Sequence, residues 1–419
     1  MSRRQMKLGL FLWATGHHIA AWRHPKAHVT AGIDIAHYIE LARTAEAAKF
    51  DMVFCEDAAG LREANVGIAS QTSRSIGFEP VSLLSALAAR TERIGLVSTA
   101  STSYNEPYGL ARMFASLDNL SAGRAGWNLV TSASPIEAAN FVATGLRPHA
   151  DRYERAREFA AAVTGLWLGR PGHDGQGFSV RDPLDIPPSP QGAPVMVQAG
   201  ASDDGKDLAA RTADVVFSAA QTFDEAKASY DDLKGRLAAY GREPDDIKIL
   251  PGVAPVVAET EAQAREKHDQ LQELIPDDVG VALLSSYLSI SDLGRYPLDG
   301  PLPELPESEG MKSRQALVIE QASRDGLSIR DLARYFAGAR GHWRLVGTPA
   351  QVADELQARF EGGAADGFNV MPSWFPGELD VFARLVVPEL QRRGLFRKDY
   401  EGRTLREHLG LKRPARGEV

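Results

Sequence analysis

Residues 195–211, VMVQAGASDDGKDLAAR, contain an apolar run, a turn of small residues and a helical pattern. The turn has the spacing Gly-x-x-x-x-Gly-Lys of a nucleotide triphosphatase loop. Such a loop needs a hydroxyl after its lysine, whereas this chain has Asp207 there, and Asp203 and Asp204 would repel a triphosphate. We therefore interpret the stretch as a strand, a turn and a helix whose free N–H groups can bind an anion. A plain connection capped by Ser202 explains the same pattern.

Eight apolar runs of strand length alternate with helical patterns along the chain. Runs that are apolar throughout are typical of strands buried on both faces. Eight such strands alternating with helices are what a (β/α)8 barrel requires, so the sequence predicts an α/β protein with the TIM-barrel fold. The predicted strands are 7–13, 50–55, 94–100, 125–131, 195–199, 214–217, 247–257 and 367–371.

Three stretches are surplus to a minimal barrel, namely about 58–79, 165–193 and 259–345. We interpret them as insertions near the C-terminal mouth of the barrel, within a single domain of residues 1–419. A doubly wound sheet is the alternative fold. It would usually have a glycine fingerprint in its first strand-to-helix turn, and residues 14–18, ATGHH, do not form one.

The composition is that of an ordinary globular protein, with 44% hydrophobic and 24% charged residues among 419. A formal net charge of -8 argues against a protein that binds nucleic acid through phosphate neutralisation. The one cysteine, Cys55, excludes an internal disulfide and a cysteine-based metal cluster, which suits a cytoplasmic protein. We expect no signal peptide and no membrane span, because no window approaches about 20 apolar residues.

In a barrel of this type the functional site is built at the carboxyl ends of the strands. The residues predicted there are mostly hydroxyls, amides and aromatics, with one carboxylate and no cation cluster. We find neither a Gly-x-Ser-x-Gly elbow nor a His-Glu-x-x-His motif. His149 and Tyr153 lack the carboxylate and second histidine of a catalytic zinc site, so no metal is predicted. Such a neutral mouth suits a large planar ligand with one phosphate, for example flavin mononucleotide (FMN).

Several of these residues have simpler explanations. Asp57 could cap a helix, and Tyr153 could be an ordinary tyrosine on a helix face. Since the adjacent His17 and His18 cannot easily both face one cavity, we expect one of them to lie on the surface.

Stretches spread over nearly the whole chain are similar to one known family. They are 16–25, 50–57, 101–108, 122–132 (AGRAGWNLVTS), 198–202, 346–349, 387–394 and 405–411. In these stretches the chain resembles the bacterial-luciferase-like flavin monooxygenases. The most similar branch is that of nitrilotriacetate monooxygenase component A, with the long-chain alkane and dibenzothiophene-sulfone monooxygenases.

The resemblance implies a barrel with FMN at its mouth. The positions that match the family's flavin-binding residues are Asp57, Thr102, Asn128, His149, Tyr153, Ala201 and Ser202. The first three would lie near the ring and ribityl chain, and Tyr153, Ser202 and the N–H of Ala201 would hold the phosphate. Relatives often have a second serine at the position of Ala201, so the phosphate here would have one side-chain donor fewer.

The chemistry that the resemblance implies is a two-component monooxygenase reaction. A separate NAD(P)H-dependent flavin reductase supplies FMNH2, which reacts with O2 to give a peroxyflavin that oxygenates a small organic substrate. We expect His17 beside the reacting edge, as a hydrogen-bond partner or proton donor. A homodimer or homotetramer is expected. The alternatives are a deazaflavin (F420)-dependent oxidoreductase on the same barrel and a flavin-binding module without turnover.

Overall fold

The computed structural model describes residues 4–62, 65–74, 76–141, 145–170, 172–290, 293–305 and 312–415. Within them, nine parallel strands form one sheet. The strands are β1 (Lys7–Phe11), β2 (Met52–Cys55), β3 (Gly95–Ser101), β4 (Ala125–Val130), β5 (Val195–Gln198), β6 (Val215–Ser218), β7 (Lys248–Val257), β8 (Trp343–Gly347) and β9 (Gly367–Val370).

Eight of these strands close into a barrel. Strands β1 to β7 pair in chain order, β7 pairs with β9, and β9 returns to β1. The predicted TIM barrel is therefore confirmed, and each of its strands lies at a predicted place. Strand β8 was not predicted, because its sequence falls mostly inside the surplus stretch 259–345. It pairs with residues 253–257, the second half of the ten-residue β7, beyond residues 248–251, where β7 pairs with β6.

Helices connect the strands and cover the barrel. They are α1 (Ile35–Ala47), α2 (Val66–Ala69), α3 (Pro80–Ala88), α4 (Pro107–Leu120), α5 (Pro135–Ala138), α6 (His149–Trp167), α7 (Asp203–Thr212), α8 (Phe223–Arg236), α9 (Glu261–Glu273), α10 (Asp277–Leu288), α11 (Lys312–Asp325), α12 (Ile329–Ala339), α13 (Pro349–Glu361), α14 (Gly377–Val381), α15 (Val387–Arg392) and α16 (Leu405–Leu409). In the described residues no helix is long and apolar enough to cross a membrane.

Alternate side chains of each strand face the helices and the barrel interior. In β4, Trp127 faces outward and packs on Phe114 and Phe159 of the helix layer. The interior contains the other set, including Phe11 of β1 and Phe54 of β2. This parity determines which residues at the ends of the strands can face a ligand at the mouth.

The bottom of the barrel, at the amino ends of the strands, is closed by α16. Leu405 and Leu409 belong to the same buried cluster as the interior side chains. Gly95 of β3 makes room for this helix, because a Cβ there would lie 2.4 Å from Cδ1 of Leu405. The C-terminal segment therefore fills one end of the barrel and leaves the other end for a ligand.

Two of the surplus stretches meet at the mouth. Helices α10 and α12 of the stretch 259–345 pack on Ile19 and Ala20, which follow β1. The side-chain amide of Gln71, in the stretch 58–79, donates to Asp278 of α10 at 2.9 Å. The third stretch, 165–193, contains a two-stranded hairpin of residues 173–174 and 179–180. The organisation into one domain with these three insertions stays a prediction.

Candidate functional site

The turn between β5 and α7 places two hydroxyl groups at a helix N-terminus, an arrangement that can bind an anion. The Ser202 hydroxyl caps α7, accepting the N–H of Gly205 at 3.1 Å, and lies 3.3 Å from the Tyr153 hydroxyl. Gly200 and Gly205 are in contact, since a Cβ on either would lie 2.9 Å from the Cα of the other. The two glycines of the Gly-x-x-x-x-Gly-Lys spacing thus bring strand and helix close together. His149 also lies here, with its ring 4.7 Å from that of Tyr153.

The charged residues of this turn are engaged on its outer side. The Nζ of Lys206 lies 2.8 Å from a carboxylate oxygen of Asp232 on α8, so it is held there by an ion pair. The neighbouring carboxylates are also paired with cations, as Asp203–Arg236 at 2.6 Å and Asp204–Arg157 at 3.1 Å. These pairs offset the two aspartate charges that we expected to repel a triphosphate. The lysine serves helix packing, which does not fit a triphosphate loop.

The ends of β3 and β4 present a buried amide. Asn128 follows the outward-facing Trp127 and therefore faces the barrel interior. Its Nδ2 donates to the Thr99 hydroxyl at 2.8 Å, and that hydroxyl donates to the carbonyl of Cys55 at 2.8 Å. Its Oδ1 is buried and has no hydrogen-bond partner among the described residues. Burying an acceptor without a partner is costly, so this position suits a ligand that donates a hydrogen bond.

Thr102 directly follows β3 and is fully buried, and its N–H and hydroxyl are used nearby. Its backbone N–H and its hydroxyl both donate to the carbonyl of Val130, at 2.9 and 3.3 Å. The side chain therefore joins the β3 and β4 loops to each other.

His17 lies inside the mouth and is neutral. Its ring packs on Phe11 at 4.4 Å and on Trp13 at 5.4 Å between centroids. Nε2 lies 2.8 Å from the carbonyl of Phe11 and donates to it, which leaves Nδ1 as an acceptor without a partner in the described part of the chain. Burial, together with the charge of Arg340, lowers the pKa of His17 to about 3. At neutral pH this ring can accept a hydrogen bond, but it has no second proton to give.

The expectation that one of the two histidines lies on the surface is wrong. His17 is 2% exposed and His18 is 3% exposed. His18 faces away from the barrel interior, toward Gln272 of α9 and Gly338 of α12. Both rings are buried because the helices of the stretch 259–345 cover this loop, which could not be foreseen from the loop itself.

Asp57 and Glu56 diverge at the end of β2. Asp57 lies at the rim and is exposed as a whole residue. Desolvation of its carboxyl group, together with the nearby charges of Glu79 and Glu137, raises its pKa to about 6. Glu56 is largely buried and forms ion pairs with Arg62 at 2.7 Å and Arg340 at 3.2 Å. The sequence analysis named Asp57 and missed Glu56, although the alternation of β2 places residue 56 on the same side as Phe54.

The prediction that the mouth has no cation cluster is wrong. The guanidinium groups of Arg340, Arg62 and Arg74 lie 4.3, 4.9 and 5.7 Å from the ring centroid of Trp13. Burial raises the pKa of Glu56, but the three arginines outweigh it and hold that pKa at about 2. These residues were missed because two surplus stretches supply the arginines, and only the fold brings them together.

Comparison with known proteins identifies the family of the chain. Residues 11–366 match the luciferase-like monooxygenase family. The chain belongs to this family. It is 47% identical to N-acetyl-S-(2-succino)cysteine monooxygenase of Bacillus subtilis, over 98% of each chain. It is also 47% identical to nitrilotriacetate monooxygenase component A of Aminobacter aminovorans, over 99% of this chain and 98% of that one.

A solved structure of riboflavin lyase, with modified FMN and riboflavin, superposes with a TM-score of 0.88. It is 30% identical, over 98% of this chain and 97% of that chain. The resemblance seen in the sequence is thereby confirmed, and the protein is a flavin-dependent monooxygenase. In the described residues no group of three histidine, cysteine, aspartate or glutamate side chains could hold a metal ion.

Proposed function

We propose that this protein is the oxygenase of a two-component system, which uses FMNH2 and O2 to oxygenate a small organic substrate. The observation that carries the proposal is the turn at α7, where Ser202 and Tyr153 meet at a helix N-terminus. Two relatives support the proposal. One is component A of nitrilotriacetate monooxygenase, and the solved structure of riboflavin lyase contains modified FMN.

The residues present fit this cofactor. The phosphate would rest on the N-terminus of α7, with donors from Ser202, Tyr153 and the N–H of Ala201. The orphaned Oδ1 of Asn128 suits a hydroxyl or N–H of the flavin. Of the other matched positions, His149 would lie beside the phosphate and Asp57 and Thr102 near the ring and ribityl chain.

When bound, reduced FMN supplies the two electrons that place one oxygen atom of O2 in the substrate and release the other as water. The protein's own contribution is to bind, orient and exclude water. His17 contributes an uncharged acceptor at Nδ1, because its pKa is held near 3. The helices α10 and α12 cover the loop after β1 and so separate this histidine from solvent.

The reduced flavin would come from a separate NAD(P)H-dependent reductase, by diffusion or transient contact. The test combines the protein with FMN, a flavin reductase, NADH, 18O2 and a panel of organic acids, sulfones and alkanes. We expect 18O in one substrate class only when protein, FMN and substrate are all present. Replacing FMN and its reductase by reduced F420 should give no product. Peroxide as the sole oxygen product, whatever compound is offered, would contradict the proposal.

A further inference from the structure

The first turn of α7 contains two adjacent aspartates whose side chains face different ways. The Asp203 side chain is 88% exposed and pairs with Arg236 of α8 at 2.6 Å. Asp204 faces α6, where its Oδ1 accepts from Arg157 at 3.1 Å and its Oδ2 lies 3.5 Å from Nδ1 of His149. Asp204 is therefore in contact with a histidine that lies at the turn, and Asp203 pairs on the outer side.

His149 lies where the N-termini of two helices meet. It is the first residue of α6, and Asp204 is in the first turn of α7. Its ring packs on that of Tyr153, whose hydroxyl lies 3.3 Å from the hydroxyl of Ser202. Nδ1 of the ring faces the carboxylate, and Nε2, on the opposite edge, makes no hydrogen bond with the described residues. The ring thus has one nitrogen next to Asp204 and a second one that is available to a ligand.

The contact with Asp204 determines what this ring can offer to a phosphate. An ionised carboxylate can only accept a hydrogen bond, so it favours the ring forms that carry a proton on Nδ1. In a neutral ring of that form, Nε2 is an acceptor and is repelled by phosphate oxygens. Nε2 becomes a donor only when the ring carries both protons and a positive charge.

The charges around the ring depend on whether a phosphate is present. Asp204 faces the ring from α7, and Tyr153 and Arg157 lie beside it on α6. Because Arg157 already neutralises Asp204, the ring need not be charged when the site holds no ligand. A bound phosphate adds negative charge next to the ring, and this favours the doubly protonated form.

We propose that Asp204 is a positioning residue for the cofactor, which holds His149 with Nε2–H directed at the FMN phosphate, and that the ring takes up a proton when FMN binds. The inference rests on the proposed function, because it requires FMN with its phosphate at the N-terminus of α7. It explains how a carboxylate can stand in the first turn of a helix that receives an anion. Asp204 acts on that anion through a cation.

The direction of one effect separates this role from a purely electrostatic one. Asp204→Asn removes a negative charge near the phosphate, so without a positioning role it should leave FMN affinity unchanged or raise it. We expect a loss of about 3- to 10-fold instead, between the worth of an exposed ion pair and that of a charge-assisted hydrogen bond. Riboflavin affinity, which shows that the variant is folded, should not change.

A double-mutant cycle tests whether Asp204 acts through His149. His149→Gln should lose at least as much FMN affinity as Asp204→Asn, and in the His149→Gln background Asp204→Asn should cause no further loss. The matched control is Asp203→Asn, which removes the neighbouring charge without touching His149 and should bind FMN at least as tightly as the wild type.

Calorimetry at about pH 8, where free imidazole is neutral, measures the proton directly when FMN is titrated in buffers of different ionisation enthalpy. We expect proton uptake in the wild type, less in Asp204→Asn, and none in His149→Gln or with riboflavin. Unchanged or tighter FMN binding by Asp204→Asn, an equal loss for riboflavin, or the same loss in the His149→Gln background would overturn the inference and leave the proposed function intact. A wild-type protein that does not bind FMN would contradict both.

Discussion

The two ends of the barrel both bury polar and charged groups, but they satisfy them differently. At the bottom, the fully buried Asp51 pairs with Arg397 and accepts the N–H of Leu8 at 2.7 Å. The Nζ of Lys7 donates to the carbonyl of His408 at 2.6 Å. At the mouth, Oδ1 of Asn128 and Nδ1 of His17 have no partner in the chain as far as it is described.

The difference follows from where the partners come from. The bottom is completed by the chain's own C-terminal segment, including Arg397 and α16, although Nδ1 of His408 is left without a partner in the described structure. At the bottom of the barrel, the cost of burying polar groups is therefore largely offset by hydrogen bonds within the chain, and these contribute to the stability of the fold. At the mouth, the described residues supply no such partners to Asn128 Oδ1 and His17 Nδ1, so we expect a bound ligand to offset the cost of burying them. Substitutions at the bottom should therefore change stability, and substitutions at the mouth should change binding.

The largest expected effect is at the bottom. Arg397→Ala leaves Asp51 as a buried carboxylate without its cation, which typically costs about 3–5 kcal/mol of unfolding free energy. Urea unfolding of the variant and the wild type measures this loss. Arg112→Ala, which removes an exposed pair, is the control and should unfold with the wild type. A folded Arg397→Ala protein of normal stability that has lost FMN binding would reverse the assignment of the two ends.

The second-largest expected effect is on FMN affinity, at Ser202 in the mouth. Ser202→Ala removes the hydroxyl that we propose as a donor to the phosphate, so FMN affinity should fall by about 1.5–3 kcal/mol, or roughly 10- to 100-fold. Riboflavin lacks the phosphate, and its affinity should hardly change. The helix also loses its cap, at a cost of about 1 kcal/mol of stability. Fluorescence titration below the unfolding range separates the two losses, and an equal loss for FMN and riboflavin would contradict the phosphate site.

A third effect links the mouth to pH. The pKa of His17 is lowered by burial from 6.5 to about 3, so between these values the unfolded chain takes up a proton that the folded protein does not. Stability is complete above pH 6.5 and falls toward acid by about 1.4 kcal/mol per pH unit for this histidine. From pH 7.5 to 5, His17→Gln should therefore lose about 2 kcal/mol less than the wild type in urea unfolding. The other buried histidines are the same in both proteins and cancel, and equal losses would mean that His17 is charged in the fold.

What the sequence could predict was local or periodic. The barrel strands alternate with helices in a regular order, and Ser202 stands directly before its helix, so both were identified without a structure. Strand β8 was missed because its sequence falls mostly inside the surplus stretch 259–345, and in the structure it pairs with the far half of β7. The cluster of Arg62 and Arg340 was missed because its members are distant in sequence and lie in stretches without a regular pattern. Physical contact between insertions leaves no periodicity that one sequence can reveal.

The smallest expected effect is at Lys206, and it tests whether this lysine has a structural role or binds the phosphate. Lys206 follows Gly205 as in a triphosphate loop, yet its Nζ is paired with Asp232, which also accepts from Arg236 at 2.8 Å. Lys206→Ala therefore leaves Asp232 with a cation, and both stability and FMN affinity should change by less than about 1 kcal/mol. The measurement is the same FMN titration, run beside Ser202→Ala. If Lys206→Ala lowered FMN affinity as strongly as Ser202→Ala, the lysine would belong to the phosphate site. Its ion pair with Asp232 would then not mark it as a purely structural residue.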